Sequence, residues 1–255
     1  MNILLTNDDG IRAKGICVLR EALAGEHSVT TVAPDGERSA ISHAITLDMP
    51  LMVTCIEEDK AGKAYSVNGT PADCVKLGIH ELLGCKPDMV ISGINPGPNV
   101  GINLHYSGTV AGAKEAAILG YPAIAVSINS RDGGFLHTAA RFVCDLIKLF
   151  SKEMPFKGTF LNVNIPNVEV IFGVRITRQG VSGLSELFFR RTDPRKRTYF
   201  WQGGETQFFD EDDDTDGAAI SQDLVSITPI QCDMTDYARI ELLKRWEASW
   251  QKTSL

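Results

Sequence analysis

Hydrophobic and polar positions divide the 255-residue chain into two unlike parts. In the first, continuous apolar or β-branched runs at 3–5, 29–32, 89–91 and 123–126 predict strands. Such runs, rather than an alternation, suit strands buried on both faces of a parallel sheet. Between them, Ile16, Leu19 and Leu23 fall on one helical face. So do Val75, Ile79 and Leu82, and later Phe142, Leu146 and Phe150. Strand–helix–strand alternation indicates an α/β fold with right-handed crossovers. Segments 47–55 and 65–67 predict an inserted hairpin around a polar loop, 57–63.

The pattern changes after about Asn167. Gly and charge become frequent, and helical periodicity is lost until Tyr237. Residues 190–197 hold five basic side chains and one Asp, and residues 210–216 hold six acidic ones. We read 1–166 as the core of a single domain spanning 1–255. Residues 167–235 then form an extended hairpin excursion whose strand at 224–228 returns to the sheet. Residues 236–255 form a C-terminal helix bearing Tyr237, Ile240, Leu243, Trp246 and Trp250. Its apolar face is expected to pack on the body or on another subunit. The acidic run is expected to be a solvated loop, because blocks of like charge repel and extend.

Composition narrows the function classes. Hydrophobic residues make up 44% and charged residues 22%, enough for a sizeable core without a disulfide or metal staple. Lys plus Arg is 25 against 32 Asp plus Glu, a formal net charge of −7. That excludes a general nucleic-acid surface or an anionic-membrane binder, which need clustered positive charge. A small phosphorylated substrate needs only a local site. The six cysteines form no CxxC and read as small buried hydrophobes of a reducing cytosol. Met1-Asn2-Ile3-Leu4-Leu5 has no basic n-region, and no run approaches the ~18 apolar residues of a membrane span. A cytoplasmic protein with no membrane partner is the expectation.

Candidate chemistry lies in loops that follow the strands, where open α/β sheets build their sites. Thr6-Asn7-Asp8-Asp9-Gly10 follows the first strand. Adjacent carboxylates repel unless a cation bridges them or one is protonated, and oxygen ligands suit Mg²⁺ or Mn²⁺. The same residues would also make an Asx turn before the next helix. In the loop at 33–42, Ser39 or Ser42 could ligate a metal or bind phosphate, and Arg38 could neutralise charge. Thr70-Pro71 reads as an N-cap followed by a first-turn proline. Ser92-Gly93-Ile94-Asn95 opens a glycine-rich stretch leading to Ser107-Gly108-Thr109, where a helix begins. Glycines permit close backbone approach, and a helix start offers free N–H groups to an anion. No Walker A loop, GxGxxG, GxSxG or zincin motif occurs. His43 and His105 lie near these loops.

Together the loops supply a metal site beside an anion site, which suggests metal-assisted phosphoryl transfer to water. At this point the sequence resembles the SurE family of survival-protein nucleotidases. The likeness runs in order through 4–10, 33–39, 68–75, 92–101, 106–115 and 224–235. It implies a Rossmann-like three-layer α/β fold with a mainly parallel sheet, an extended β-hairpin and a C-terminal helical arm. It implies one divalent cation per subunit, Mg²⁺ or Mn²⁺, on Asp8, Asp9, Ser39 and Asn95. Asp8, Asp9 and Asn95 would be the catalytic residues, and one of the two Asp would orient the water or act as base. Phosphate would sit against Asn95, Ser107, Gly108 and Thr109. The implied activity is hydrolysis of nucleoside 5′-monophosphates, with 3′-monophosphates and short polyphosphate as further substrates. The implied assembly is a homodimer or homotetramer. The sequence departs from the family at Ala40 and Ala111, where glycine is common, and neither change removes a ligand.

Overall fold

A computed structural model describes residues 1–153, 157–181, 183–184, 187–203, 206–207 and 212–250. Chain order is β1 (Asn2–Thr6), α1 (Lys14–Ala24), β2 (Ser28–Pro34), β3 (Val53–Asp59), β4 (Gly62–Val67) and α2 (Pro71–Leu77). It continues with β5 (Met89–Pro96), α3 (Gly108–Ile118), β6 (Ala123–Ile128), α4 (Leu136–Glu153), β7 (Thr159–Ile165) and β8 (Val174–Ile176). The excursion contains β9 (Gly183–Leu184), β10 (Leu187–Thr192), β11 (Thr198–Gly203) and β12 (Thr206–Gln207). Finally come α5 (Asp216–Ser221), β13 (Val225–Gln231) and α6 (Tyr237–Trp250).

Nine strands form one sheet in the order β3-β4-β2-β1-β5-β6-β7-β13-β8. The four apolar runs all become strands of it, and β1 pairs in parallel with both β2 and β5. Helices cover both faces. Ile16, Leu19 and Leu23 of α1 join Val143 and Ile147 of α4 in one core layer. Cys74 and Val75 of α2 join Ala113 and Ala116 of α3 in the other. The chain leaves β1 first towards β2 and later, from β5, in the opposite direction. The carboxyl ends of β1 and β5 therefore flank the point where strand order reverses, the usual crevice of an open α/β sheet. The expected three-layer α/β architecture is present.

Several expectations need correction. The hairpin near residue 60 is tighter than its polar sequence indicated. β3 and β4 pair as far as Asp59 and Gly62, and residues 47–50 form no strand. β4 also joins the main sheet beside β2. Strand β7 gave no apolar-run signal, because Asn162 and Asn164 occupy it, both fully buried. Their amide nitrogens donate to the Asn99 carbonyl in the loop after β5, while the Asn162 Oδ1 is buried with no hydrogen-bond partner among the described residues. α5 interrupts the excursion where no helix was expected; six residues are too few for a periodic signal.

The return strand β13 pairs antiparallel with β7, and β10–β11 form the expected long hairpin. The apolar face of α6 does not pack on the body: Tyr237, Leu243, Trp246 and Trp250 are all exposed. The acidic run is only partly solvated, since Asp212 and Asp214 pair with Arg178 and Asp216 is fully buried. Asp210 and Glu211 lie outside the described residues. All six cysteines are free, but only Cys74 is buried, while Cys17, Cys55 and Cys85 are exposed. The reading of the cysteines as buried hydrophobes therefore holds fully for Cys74 and in part for Cys144 and Cys232, which pack half-buried against the core, and fails for Cys17, Cys55 and Cys85. No helix among the described residues is long and apolar enough to cross a membrane.

Candidate active site

The loops after β1, β2 and β5 come together at the carboxyl end of these central strands. Gly10 adopts a φ of +100°, where a side chain would be strained, and the Asn7 amide donates to the Gly10 carbonyl at 2.9 Å. This closes the Asp8-Asp9 turn. The turn is tied to the next loop by the Arg38 N–H donating to the Asp8 carbonyl, and by the Ile11 N–H donating to the Pro34 carbonyl. In the β2 loop Ala40 has a φ of +54°, a conformation that glycine adopts without cost.

Asp8, Ser39, Asn95 and Ser107 line one cavity of about 610 Å³, together with Ile102 and Tyr106. Asp9 opens instead on a neighbouring cavity of about 420 Å³, beside Lys14, Pro96 and Arg131. Asp8 is buried, and Thr109 donates its hydroxyl to the Asp8 Oδ1. Thr109 is itself fully buried and does not line the cavity. Its hydroxyl is therefore directed at Asp8 rather than at the space for a phosphate. Ser107 caps α3 by accepting from the Val110 N–H at 3.1 Å. Its own O–H remains a donor on the cavity wall. The Asn95 amide nitrogen donates to the Gly97 carbonyl at 2.7 Å, so the side-chain oxygen is the end left to serve as a ligand.

Sequence reasoning missed Glu37. Its Oε1 accepts the Ser39 hydroxyl at 2.6 Å, which directs the proton away and leaves the Ser39 oxygen lone pairs to a cation. Arg38 does not neutralise the site. It pairs with Asp35 at 2.8 Å and leans on the carbonyls of Asn68 and Gly69.

Burial pushes the Asp8 carboxyl upward, and the Thr109 contacts only partly offset this. Burial, then the Asp8 charge, then the Glu37 charge push Asp9 up to about 7. The Asp9 Oδ2 is buried with no hydrogen-bond partner among the described residues. Three crowded carboxylates, one with an orphaned oxygen, form a site that is unfavourable when empty and fits a hard dication. No group of three or more His, Cys, Asp or Glu with metal-holding geometry occurs among the described residues. A ligand set of two Asp with a Ser and an Asn does not require one.

A stability prediction follows for protein kept metal-free with EDTA. Asp9 in the folded state keeps a proton that the unfolded chain has already lost between roughly pH 4 and pH 7. Stability must therefore fall as pH rises through that window. Melting temperatures measured at about pH 5 and about pH 7.5 should show the drop, and Asp9→Asn should reduce it. A wild-type Tm that stays level or rises would contradict the assignment.

His43 is not free to act as an acid or base at the cavity. It bonds Glu115 of α3 at 2.7 Å, and Lys76 lies 3.6 Å from the same carboxylate. Burial opposes the Glu115 charge, but these contacts together outweigh it and hold the carboxyl below its ordinary range. The pair fastens the loop that carries Ser39 to the α3 helix. His105 lies 3.3 Å from the Gln179 amide and is not part of the lining of the cavity that holds Asp8.

Known proteins resemble this chain over nearly its whole length. A family model described as Survival protein SurE matches residues 3–186. A 5′-nucleotidase SurE of Desulfatibacillum aliphaticivorans is 55% identical over 249 residues, covering 97% of this chain and 98% of that protein. A 5′-nucleotidase SurE of Syntrophobacter fumaroxidans is 46% identical, covering 96% of this chain and 99% of that protein. The crystal structure of the SurE protein from Aquifex aeolicus superposes with a TM-score of 0.85 at 40% identity, covering 97% of this chain and all of that one. Near-complete coverage in both directions, on a likeness first seen in the site loops, places this chain in the SurE family.

Proposed function

We propose that this chain is a metal-dependent phosphatase that hydrolyses nucleoside 5′-monophosphates to nucleoside and phosphate. The carrying observation is one cavity lined both by the polar side chains of Asp8, Ser39, Asn95 and Ser107 and by the large side chains of Ile102 and Tyr106. A nucleotide asks for both kinds of wall, polar groups for its dianion and broad side chains for its flat base. The full-length likeness to proteins named 5′-nucleotidase SurE supports the same reading.

Asp8, Asp9, Ser39 and Asn95 would hold one Mg²⁺ or Mn²⁺. A bound dication supplies Lewis-acid polarisation of the phosphate and neutralises its charge. The protein does the rest. Thr109 fixes the Asp8 carboxylate. The Ser107 O–H and the free N–H at the start of α3, on Gly108, donate to phosphate oxygens as negative charge builds there. Asp9 is the carboxylate with an uncommitted oxygen, so it orients the attacking water and accepts its proton. The water oxygen forms the new P–O bond as the bond to the nucleoside oxygen breaks, and that oxygen takes up a proton to leave as an alcohol.

The exposed aromatic side chains of β10, β11 and α6 support assembly into a homodimer or homotetramer. A phosphate-release panel over nucleoside 5′- and 3′-monophosphates and polyphosphate, each with Mg²⁺, Mn²⁺ or EDTA, tests the activity. Release from 5′-monophosphates that disappears in EDTA is expected. Release that EDTA leaves intact would sink the metal-dependent reading.

A further inference from the structure

We propose that Gln202 contacts the nucleobase and makes the site tolerant of base identity. The inference rests on the nucleotidase reading above. Gln202 lies on β11 of the excursion, far along the chain from every one of the site loops. It nevertheless lines the same cavity as Asp8, Asn95 and Ser107. It stands at a cavity whose other lining includes Ile102 and Tyr106, 44% and 57% exposed. Large apolar side chains left open inside a cavity offer a face on which a flat ring can lie. They cannot read the edge of that ring, because they present no hydrogen-bonding atom in its plane. Gln202 can. Its carboxamide carries one acceptor and two donors, and no hydrogen-bond partner holds it among the described residues.

The chemistry of the base edges decides what such a reader does. On its Watson–Crick edge adenine presents a donor beside an acceptor, and cytosine does the same. Guanine and uracil present the reverse order. A carboxamide matches either order by turning half a revolution, which swaps its oxygen and nitrogen. A charged or acceptor-only side chain at this position would select among bases, whereas glutamine accepts all of them. The contact is remote from phosphorus and is the same in substrate and transition state. It therefore lowers KM and leaves kcat little affected.

The test compares adenosine, guanosine and uridine 5′-monophosphates with ribose 5-phosphate, which has no base to contact. In Gln202→Ala, KM for each nucleotide should rise about three- to tenfold, the effect of one neutral hydrogen-bonded group. The kcat/KM ratio of nucleotide to ribose 5-phosphate should fall by the same factor. Gln202→Glu, which only accepts, should change the AMP-to-GMP ratio of kcat/KM about tenfold. A change towards GMP is expected, because the Watson–Crick edge of guanine offers two donors to a carboxylate and that of adenine one; a change towards AMP overturns the Watson–Crick contact. Equal losses on all four substrates, or wild-type ratios in both variants, overturn the assignment. If the wild-type protein releases phosphate from ribose 5-phosphate but from no nucleotide, the nucleotidase reading fails, and this inference with it.

Discussion

Asp8→Asn and Asp9→Asn should each reduce metal-dependent phosphate release about a thousandfold or more, in protein that remains folded. Each removes one carboxylate of the proposed metal site. Lewis-acid stabilisation by a cation is worth several kcal/mol, and about 4 kcal/mol corresponds to a factor of ~10³ in rate. The fold should survive because neither charge supports it. Burial raises the pKa of both groups, so in the metal-free molecule their ionised forms oppose folding. The two variants should also differ. In Asp8→Asn the Thr109 hydroxyl still meets an oxygen or can turn to one, and the lesion is confined to metal binding. Asp9→Asn loses a ligand and the acceptor for the water proton, so raising the metal concentration should rescue it less. Purified variants with wild-type circular dichroism and wild-type turnover would refute the site.

The second large effect is expected from one methyl group. A Cβ placed on Gly108 would lie 2.7 Å from the Asp8 Cβ, 2.9 Å from the Asp8 Oδ2 and 3.2 Å from the Arg38 carbonyl oxygen. Real Cβ atoms do not approach that closely, so Asp8 or the Arg38 loop must move. Gly108 begins α3, where alanine is intrinsically the better helix former by roughly 1 kcal/mol, so secondary structure is not at risk. Gly108→Ala should therefore leave the melting temperature within a few degrees and lower kcat/KM about a hundredfold. A displacement of ~1 Å at a catalytic group has consequences of that size. Near-normal turnover in the variant would mean that Asp8 does not need its present position against α3.

Much of this was legible in the sequence, for identifiable reasons. Strands β1, β2, β5 and β6 are buried on both faces and therefore carry unbroken apolar runs. Thr70-Pro71 announced α2 because capping is local chemistry: the Thr70 side chain accepts from the Asp73 N–H, and Asp73 accepts from the Thr70 N–H. The loops that carry Asp8, Asp9 and Ser39 are legible because each follows a strand and parallel strands end on one side, whereas Asn95 near the end of β5 and the choice of Ser39 over Ser42 come with the family resemblance. What the sequence concealed depends on partners distant along the chain. The role of Thr109 requires Asp8, a hundred and one positions away. Asn162 and Asn164 are tolerable in a buried strand only because Asn99 meets them. Glu37 looked like one more charge in a polar loop until folding brought it against Ser39, close enough to raise Asp9.

Asp216 has a further consequence. Its carboxylate, fully buried, receives the N–H groups of Gly101, Gly180 and Gly217, each at 2.9 Å. Gly101 lies in the connection after β5, Gly180 stands at the root of the long hairpin, and Gly217 lies in the first turn of α5. Three segments that meet nowhere else in sequence thus share one anion as a common knot. Because the hairpin is moored at its root, its outer part is free to vary in length and composition without slackening the wall of the cavity. Descendants of this chain could change the tip while inheriting the same cavity.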